Sequence, residues 1–381
     1  MKASPLVALS CVLCCSTVLA ADEEWVSLYN GKDLKNWVNV NCAPDTWTAQ
    51  GDVIHCTGHP TGALRTPRQY ENFILELDWR HLEPAGNSGV FIWGSPIAAP
   101  GAPFLRAIEV QVLDNAFNIP GKNQWYTTHG DVFPIWGSTM KPIHKGDGMR
   151  CFPIEERSKS SPEWNHYRIV GNNGKLRLSV NGKEVSGGDD VVWRKGYLAL
   201  ESEGSPVEFR NIRIQELPST GATAEQSAPV EEGWRPLYNG VDLRGWRAGR
   251  AREGWSSNDW RIAGKAGARP LLSSSNYSNF ELIVDVGPGT QSSPSAGPRI
   301  ILSTANAKTM LGLAARPKEW TRNRIVVRRR SLELMAIGAK TTANTTLPSS
   351  GPWSIGLDGG GAALEFGNIY VRTGKPGKPA G

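Results

Sequence analysis

One stretch of this chain occurs twice, and that constrains its fold more than any other feature. WVSLYNGKDLKNW (Trp25–Trp37) returns as WRPLYNGVDLRGW (Trp234–Trp246), EWN at Glu163 returns as EWT at Glu319, and EFRNI at Glu208 returns as EFGNI at Glu365. Matches in the same order near the start and end of both halves predict two copies of one domain. The spacing between partners is 209 residues at Trp25 and 207 at Phe73, but 156 at Trp164 and 157 at Phe209. About 50 residues between Gly89 and Trp164 therefore have no counterpart in the second copy.

Strand signals dominate both copies. Phe73, Leu75, Leu77 and Trp79 alternate with Ile74, Glu76, Asp78 and Arg80, and Phe280, Leu282, Val284 and Val286 repeat the pattern. A period of two places one apolar set on one face of a sheet. Asn181-Gly182 supplies a hairpin turn after Leu176, Leu178 and Val180. No segment sustains a helical period, so the expected fold is all-β, two tandem sandwiches of face-to-face antiparallel sheets. Forty-two glycines and 26 prolines suit many short strands joined by turns.

The boundaries follow from composition. Residues 1–20 read as a secretory signal, with Lys2, an apolar run from Leu6 to Leu19, and small residues before Ala21. The first sandwich is expected over 21–217, a flexible Ser/Thr/Ala/Gly linker over 218–230, the second sandwich over 231–373, and a loose tail over 374–381. No later run is long and apolar enough to predict a transmembrane span, so the chain is expected to be exported, periplasmic or secreted. Cys42 and Cys56 are placed to bridge in an oxidising compartment, or to stay single with Cys151 as small hydrophobes. Cys56 and His59 make half of a zinc motif without a second half.

The net charge of +6 is uneven. Residues 1–230 carry 21 Lys/Arg against 25 Asp/Glu, and residues 231–381 carry 21 against 11. A basic half can meet nucleic acid. Export and the position of Arg328-Arg329-Arg330 before a strand argue for a solvated surface, so no nucleic-acid partner is expected.

Candidate chemistry concentrates in the segment the second copy lacks. On a strand, Val110 and Val112 point to the core while Glu109 and Gln111 share the opposite face. A loop follows with His129, Asp131, Trp136 and Lys141, an imidazole, a carboxylate, an indole and an amine. Asn87 precedes the apolar strand Val90–Trp93, and Glu201 and Glu203 share a face of another strand. Fifteen tryptophans allow stacking on sugar rings as well as core packing.

LYNGKDLKNW (Leu28–Trp37), NSGVF (Asn87–Phe91), EVQVLDN (Glu109–Asn115), Lys141-Pro142, EWN (Glu163–Asn165) and GSPVEFRNI (Gly204–Ile212) occur in that order. Together they resemble the 3-keto-disaccharide hydrolase domain family, a concanavalin-like jelly roll, over Trp25 to Leu217. The second copy resembles it only at its ends and framework strands. The resemblance implies cleavage of glycosides already oxidised at C3: the ketone acidifies the C2 proton, and the C1 oxygen departs as a β leaving group. It implies an oligosaccharide or glycoside substrate. It makes Glu109, His129 and Asp131 the candidate catalytic residues, with His129 or Glu109 as base and Asp131 or Lys141 assisting the departing oxygen. Asn87, Gln111, Asp114, Trp136, Lys141, Glu201 and Glu203 form the substrate-binding set. No cofactor is called for, and a divalent cation at Glu109, His129 or Asp131 stays open. Gly130-Asp131-Val132-Phe133 stands where many family members carry a small residue and a tyrosine, and Ile143 to Pro162 is an insertion. A lectin-like tandem that grips glycans without cleaving them is the alternative, and a purely structural tandem is a third reading.

Overall fold

The computed structural model describes residues 24–117, 130–247, 249–288, 297–336 and 342–374. Residues 1–23, which hold the expected signal, residues 375–381 of the expected tail, and His129 lie outside the described residues. The fold is all-β. In the N-terminal half a nine-stranded back sheet runs in the order Lys141–Pro142, Lys183–Asp189, Lys175–Val180, Asn165–Asn172, Phe73–His81, Val207–Glu216, Val53–Cys56, Trp47–Gln50, with Val26–Ser27 paired to Val207–Glu216. An eight-stranded front sheet runs Gly146–Asp147, Arg150–Cys151, Val132–Ile135, Ala107–Leu113, Asn87–Gly94, Tyr197–Ser202, Gly62–Arg65, Val38–Val40. All pairings are antiparallel.

Alternation builds the core between these sheets. Leu75, Leu77 and Trp79 of the back sheet meet Val90, Val110, Val112 and Leu200 of the front sheet, all nearly solvent-free. Burying each aliphatic side chain contributes about 1.5–3 kcal/mol. Cys42, Cys56 and Cys151 are buried and unpaired, so the small-hydrophobe reading holds over the bridge. Cys56 faces the core while His59 is exposed, so the half zinc motif does not converge.

The C-terminal half repeats the plan with fewer strands. Leu364–Thr373, Phe280–Val286 and Thr321–Arg328 lie at the centre of one sheet. Leu271–Tyr277, Trp353–Asp358, Arg299–Ser303 and Lys308–Gly312 form the other. The two LYNG segments adopt one turn: Asn30 Oδ1 accepts from the amides of Lys32 and Asp33, and Asn239 Oδ1 accepts from those of Val241 and Asp242. Lys308–Gly312 pairs with Arg299–Ser303 as Ala107–Leu113 pairs with Asn87–Gly94. The sequence comparison assigned the Glu109 strand to the missing segment. The structure corrects this: its place in the sheet is filled, by residues without a carboxylate.

The halves are packed together. Val40, Ala63, Phe91, Ala107 and Ala199 lie on the outer face of the front sheet, and Trp234, Ile283 and Tyr370 of the second half cover them. Buried polar groups lock this contact. Arg322 holds Asp285 at 2.7 and 2.9 Å and donates to the Ala98 carbonyl, while Asn368 Nδ2 donates to the carbonyls of Ala99 and Ala102. The segment 218–230 is not the flexible joint its composition suggested. Asn72 donates to the Pro218 carbonyl, Arg194 N to Gln226 O and Ala228 N to Lys195 O. Its small polar residues serve turns and hydrogen bonds rather than freedom.

Candidate active site

The front sheet carries the site on the part of its outer face next to the covered patch. Along Ala107–Leu113, Ile108, Val110 and Val112 enter the core, which turns Glu109 and Gln111 outward. Register then decides their neighbours. Phe91 and Phe133 flank Glu109 on the adjacent strands, and Gly89 lies beside Gln111. The next strand brings Glu201 over Gly89. A Cβ added at Gly89 would lie 2.7 Å from Glu201 Oε2 and 3.1 Å from Glu109 Oε1. The glycine thus leaves the space into which two carboxyls from different strands converge.

Hydrogen bonds extend this pair into a row. Gln111 Nε2 donates to Asn87 Oδ1 at 3.0 Å, and Asn87 Nδ2 donates to Glu203. On the other side Arg150 Nη1 holds Asp131 at 2.8 Å, and its guanidinium lies 3.3 Å from the centre of the Phe133 ring. Glu109, Gln111, Asp131 and Glu201 are buried, whereas Asn87 and Glu203 are half-buried and form the more open end.

Four carboxyls with one guanidinium, itself bound to Asp131, cannot all stay ionised away from water. Burial holds Glu109 well above the usual carboxylate range. The Glu203 charge adds to this, Arg150 opposes it, and Asp131 adds again. Burial likewise raises Glu201, reinforced by Glu109 and Glu203, and Glu201 Oε2 has no hydrogen-bond partner. Burial lifts Glu203 less, from 4.5 to about 7. The cluster therefore offers two carboxyls that hold their protons more tightly than usual and one that exchanges its proton near neutrality, an arrangement suited to acid–base work.

The structure brings together Asn87, Glu109, Gln111, Asp131, Glu201 and Glu203. It does not bring in Asp114, Lys141 or Trp136, and His129 lies outside the described residues. Asp114 is a loop fastener: its carboxylate accepts from the amides of Ala85, Ala116 and Ser161, leaving it engaged by the backbone. Lys141 sits on an edge strand of the back sheet, exposed, with its Nζ 2.8 Å from Asp190. Trp136 lies past the end of the Phe133 strand and lines a groove that Glu109 does not reach. Sequence reasoning missed Arg150, which belongs to the insertion and enters the site because Cys151 pairs with Val132.

The second half shows the same position disarmed. Ile300 stands between Leu311 and Leu357 as Val90 stands between Val110 and Leu200. That register sets Met310 in the place of Glu109, Arg299 in that of Gly89 and Asp358 in that of Glu201. Arg299 neutralises Asp358 at 2.8 Å. By this sheet register the partner of Gly89 is Arg299.

A 3-keto-disaccharide hydrolase of Bacteroides thetaiotaomicron is 22% identical over 231 residues, covering 51% of this chain and 78% of that protein. A Parabacteroides distasonis structure described as that of a glycosyl hydrolase is 22% identical, covering 51% of this chain and 94% of its own, with a TM-score of 0.40. The carbohydrate-binding module CBM66 of Bacillus subtilis is 11% identical, covering 48% and 96%, with a TM-score of 0.34. The model of the 3-keto-alpha-glucoside-1,2-lyase-like domain matches residues 24–215, the span that holds both sheets of the first sandwich and every residue of the acid cluster. Through that domain the chain belongs to the 3-keto-disaccharide hydrolase family.

Proposed function

We propose that this protein is an exported enzyme that cleaves 3-keto-glycosides in its first sandwich, by removing the C2 proton and expelling the C1 substituent. The observation that carries the reading is the graded acidity of three neighbouring glutamates, Glu203 near 7 and Glu109 and Glu201 above the usual range. Glu203 at the more open end takes the C2 proton, which the adjacent ketone acidifies. The C2–H electron pair becomes the C1=C2 bond as the C1–O bond breaks, and Glu109 gives its proton to the departing oxygen. In hydrolysis, water then adds at C1, its proton passes to Glu109, and Glu203 returns a proton to C2. Without that addition the product is the unsaturated ketone. Asn87 and Gln111 fix Glu203 and offer polar atoms to hydroxyls, and Asp131 with Arg150 closes the far side. This chemistry needs one base and one acid, not the pair of carboxylates that stabilises an oxocarbenium ion.

A chromogenic 3-keto-glucoside tests the proposal with the full chain. Release of the aglycone is expected, with kcat/KM rising through an ionisation near pH 7. Glu109→Gln and Glu203→Gln should each lower turnover by about 10²-fold or more, and Glu203→Gln should remove the rise near pH 7. Unchanged turnover in both variants would overturn the assignment. Tight binding of the glycoside by the unmodified protein without release would replace it with the lectin-like reading.

A further inference from the structure

The groove that holds Trp136 lies where the halves meet and has a volume of about 240 Å³. Pro96, Ile97, Arg106, Trp136 and Trp193 line it from the first half, and Ile283 from the second. Two features inside it lack a structural explanation. Trp136 is 49% exposed, and its backbone is left-handed at φ 50°, followed by Gly137 at φ 93°. Ser138 N closes this turn on the Ile135 carbonyl. Two consecutive left-handed residues make a type I′ turn, which favours Asn-Gly. This chain uses Asn-Gly for it elsewhere, at Asn173-Gly174 (φ 49° and 73°) and Asn181-Gly182 (φ 47° and 89°). At the groove the asparagine position holds a bulky indole facing solvent, a conformation that such residues rarely adopt without a compensating role.

The second feature is Arg106. Its guanidinium lies 3.8 Å from the centre of the Trp193 ring, yet its Nε is buried without a hydrogen-bond partner. Among the described residues no carboxylate lies within ion-pair distance of it. Arg322 and Arg324 on the opposite wall are by contrast held by Asp285 and Glu281. Arg106 therefore lines the groove as a half-buried cation with no carboxylate partner, and its guanidinium can donate to an oxygen of a ligand held there.

We propose that this groove is a second carbohydrate subsite, where the indole of Trp136 stacks on the face of a pyranose ring and Arg106 donates to an oxygen of that ring. Its size suits one ring, being smaller than a typical drug-sized pocket. The acceptor is a hydroxyl in a neutral sugar or a carboxylate in a uronate, and both present an oxygen to the same guanidinium, which lines the groove. The subsite does not depend on the elimination chemistry proposed for the acid cluster.

Calorimetric titration of the full chain with methyl glucoside and, separately, methyl glucuronide tests it. Saturable heat is expected with at least one of the two, and stronger binding of the glucuronide identifies a carboxylate as the acceptor. Trp136→Ala and Arg106→Gln should each weaken binding about tenfold or more, the loss expected for an anchoring aromatic and its polar partner. Glu109→Gln should leave the Trp136-dependent heat in place, which separates this site from the acid cluster. Trp136→Asn should raise Tm by about 2–4 °C by giving the turn its preferred residue, while weakening binding as the alanine variant does. No heat with either sugar, or heat unchanged by Trp136→Ala, Trp136→Asn and Arg106→Gln, overturns the proposal.

Discussion

Replacing Glu203 with glutamine should make the protein less sensitive to rising pH, by an amount the structure allows one to work out. Glu203 moves from an ordinary 4.5 to about 7 on folding because burial disfavours its charged form. The folded state therefore binds more protons than the unfolded chain between these values, and stability falls as pH rises through that window. Below about 4.5 the residue is protonated in both states and costs nothing. Each pH unit of difference corresponds to about 1.4 kcal/mol, so by pH 7 the loss from this residue reaches about 3 kcal/mol and then levels off. Glutamine keeps the shape and the hydrogen bond with Asn87 after an amide flip, but has no proton to lose. Urea unfolding of both proteins at half-unit steps from pH 4.5 to 8 measures the difference. The stability gap should move by about 3 kcal/mol in favour of Glu203→Gln across the series. Burial raises Glu109 and Glu201 as well, so a residual decline with rising pH should survive in the variant. A gap that does not change with pH would refute the claim that a half-buried, proton-holding glutamate stands at the mouth of the cluster.

Two further outcomes follow from other parts of the fold. Arg322→Gln leaves Asp285 buried without its charge partner at the contact between the halves, and should cost about 3–5 kcal/mol in the urea unfolding of the full chain. Lys141→Ala should leave both aglycone release and stability unchanged within about 0.5 kcal/mol, because its ion pair with Asp190 is exposed on an edge strand far from the cluster.

The alternation of Ile108, Val110 and Val112 with Glu109 and Gln111 is a local property, so the polar face of this strand was legible without coordinates. The same holds for Glu201 and Glu203 on their strand. What periodicity cannot contain is the register between strands. Arg150 reaches Asp131 only because a two-residue strand pairs at Cys151 with Val132, and a strand so short leaves no pattern to read. Nearness in sequence misled in the opposite direction. Lys141 follows Trp136 by five residues, yet the chain crosses between sheets and carries the amine to the back of the sandwich. Asp114 has the composition of a ligand-binding acid, but the amides of Ala85 and Ser161 that claim it come from distant segments. Phe91, Ala107 and Ala199 gave no hint of what lies over them, since an outer face that meets a second sandwich looks like any apolar patch.

The corresponding position in the second half bears on how the first half holds its acids together. In the front sheet Gly89 leaves room for the carboxyls of Glu109 and Glu201 and contributes no charge. At the corresponding place Arg299 fills that room and neutralises Asp358, and Met310 replaces the other acid. A buried acid beside an arginine forms a structural ion pair. A buried acid beside another acid keeps its proton, and that unfavourable arrangement persists only where the surrounding fold enforces it. The second half supplies part of that enforcement. Its Trp234, Ile283 and Tyr370 seal the apolar part of the same sheet face, next to the row that carries Glu109. Packed on that face, the second sandwich forms part of the wall beside which the first holds three glutamates together.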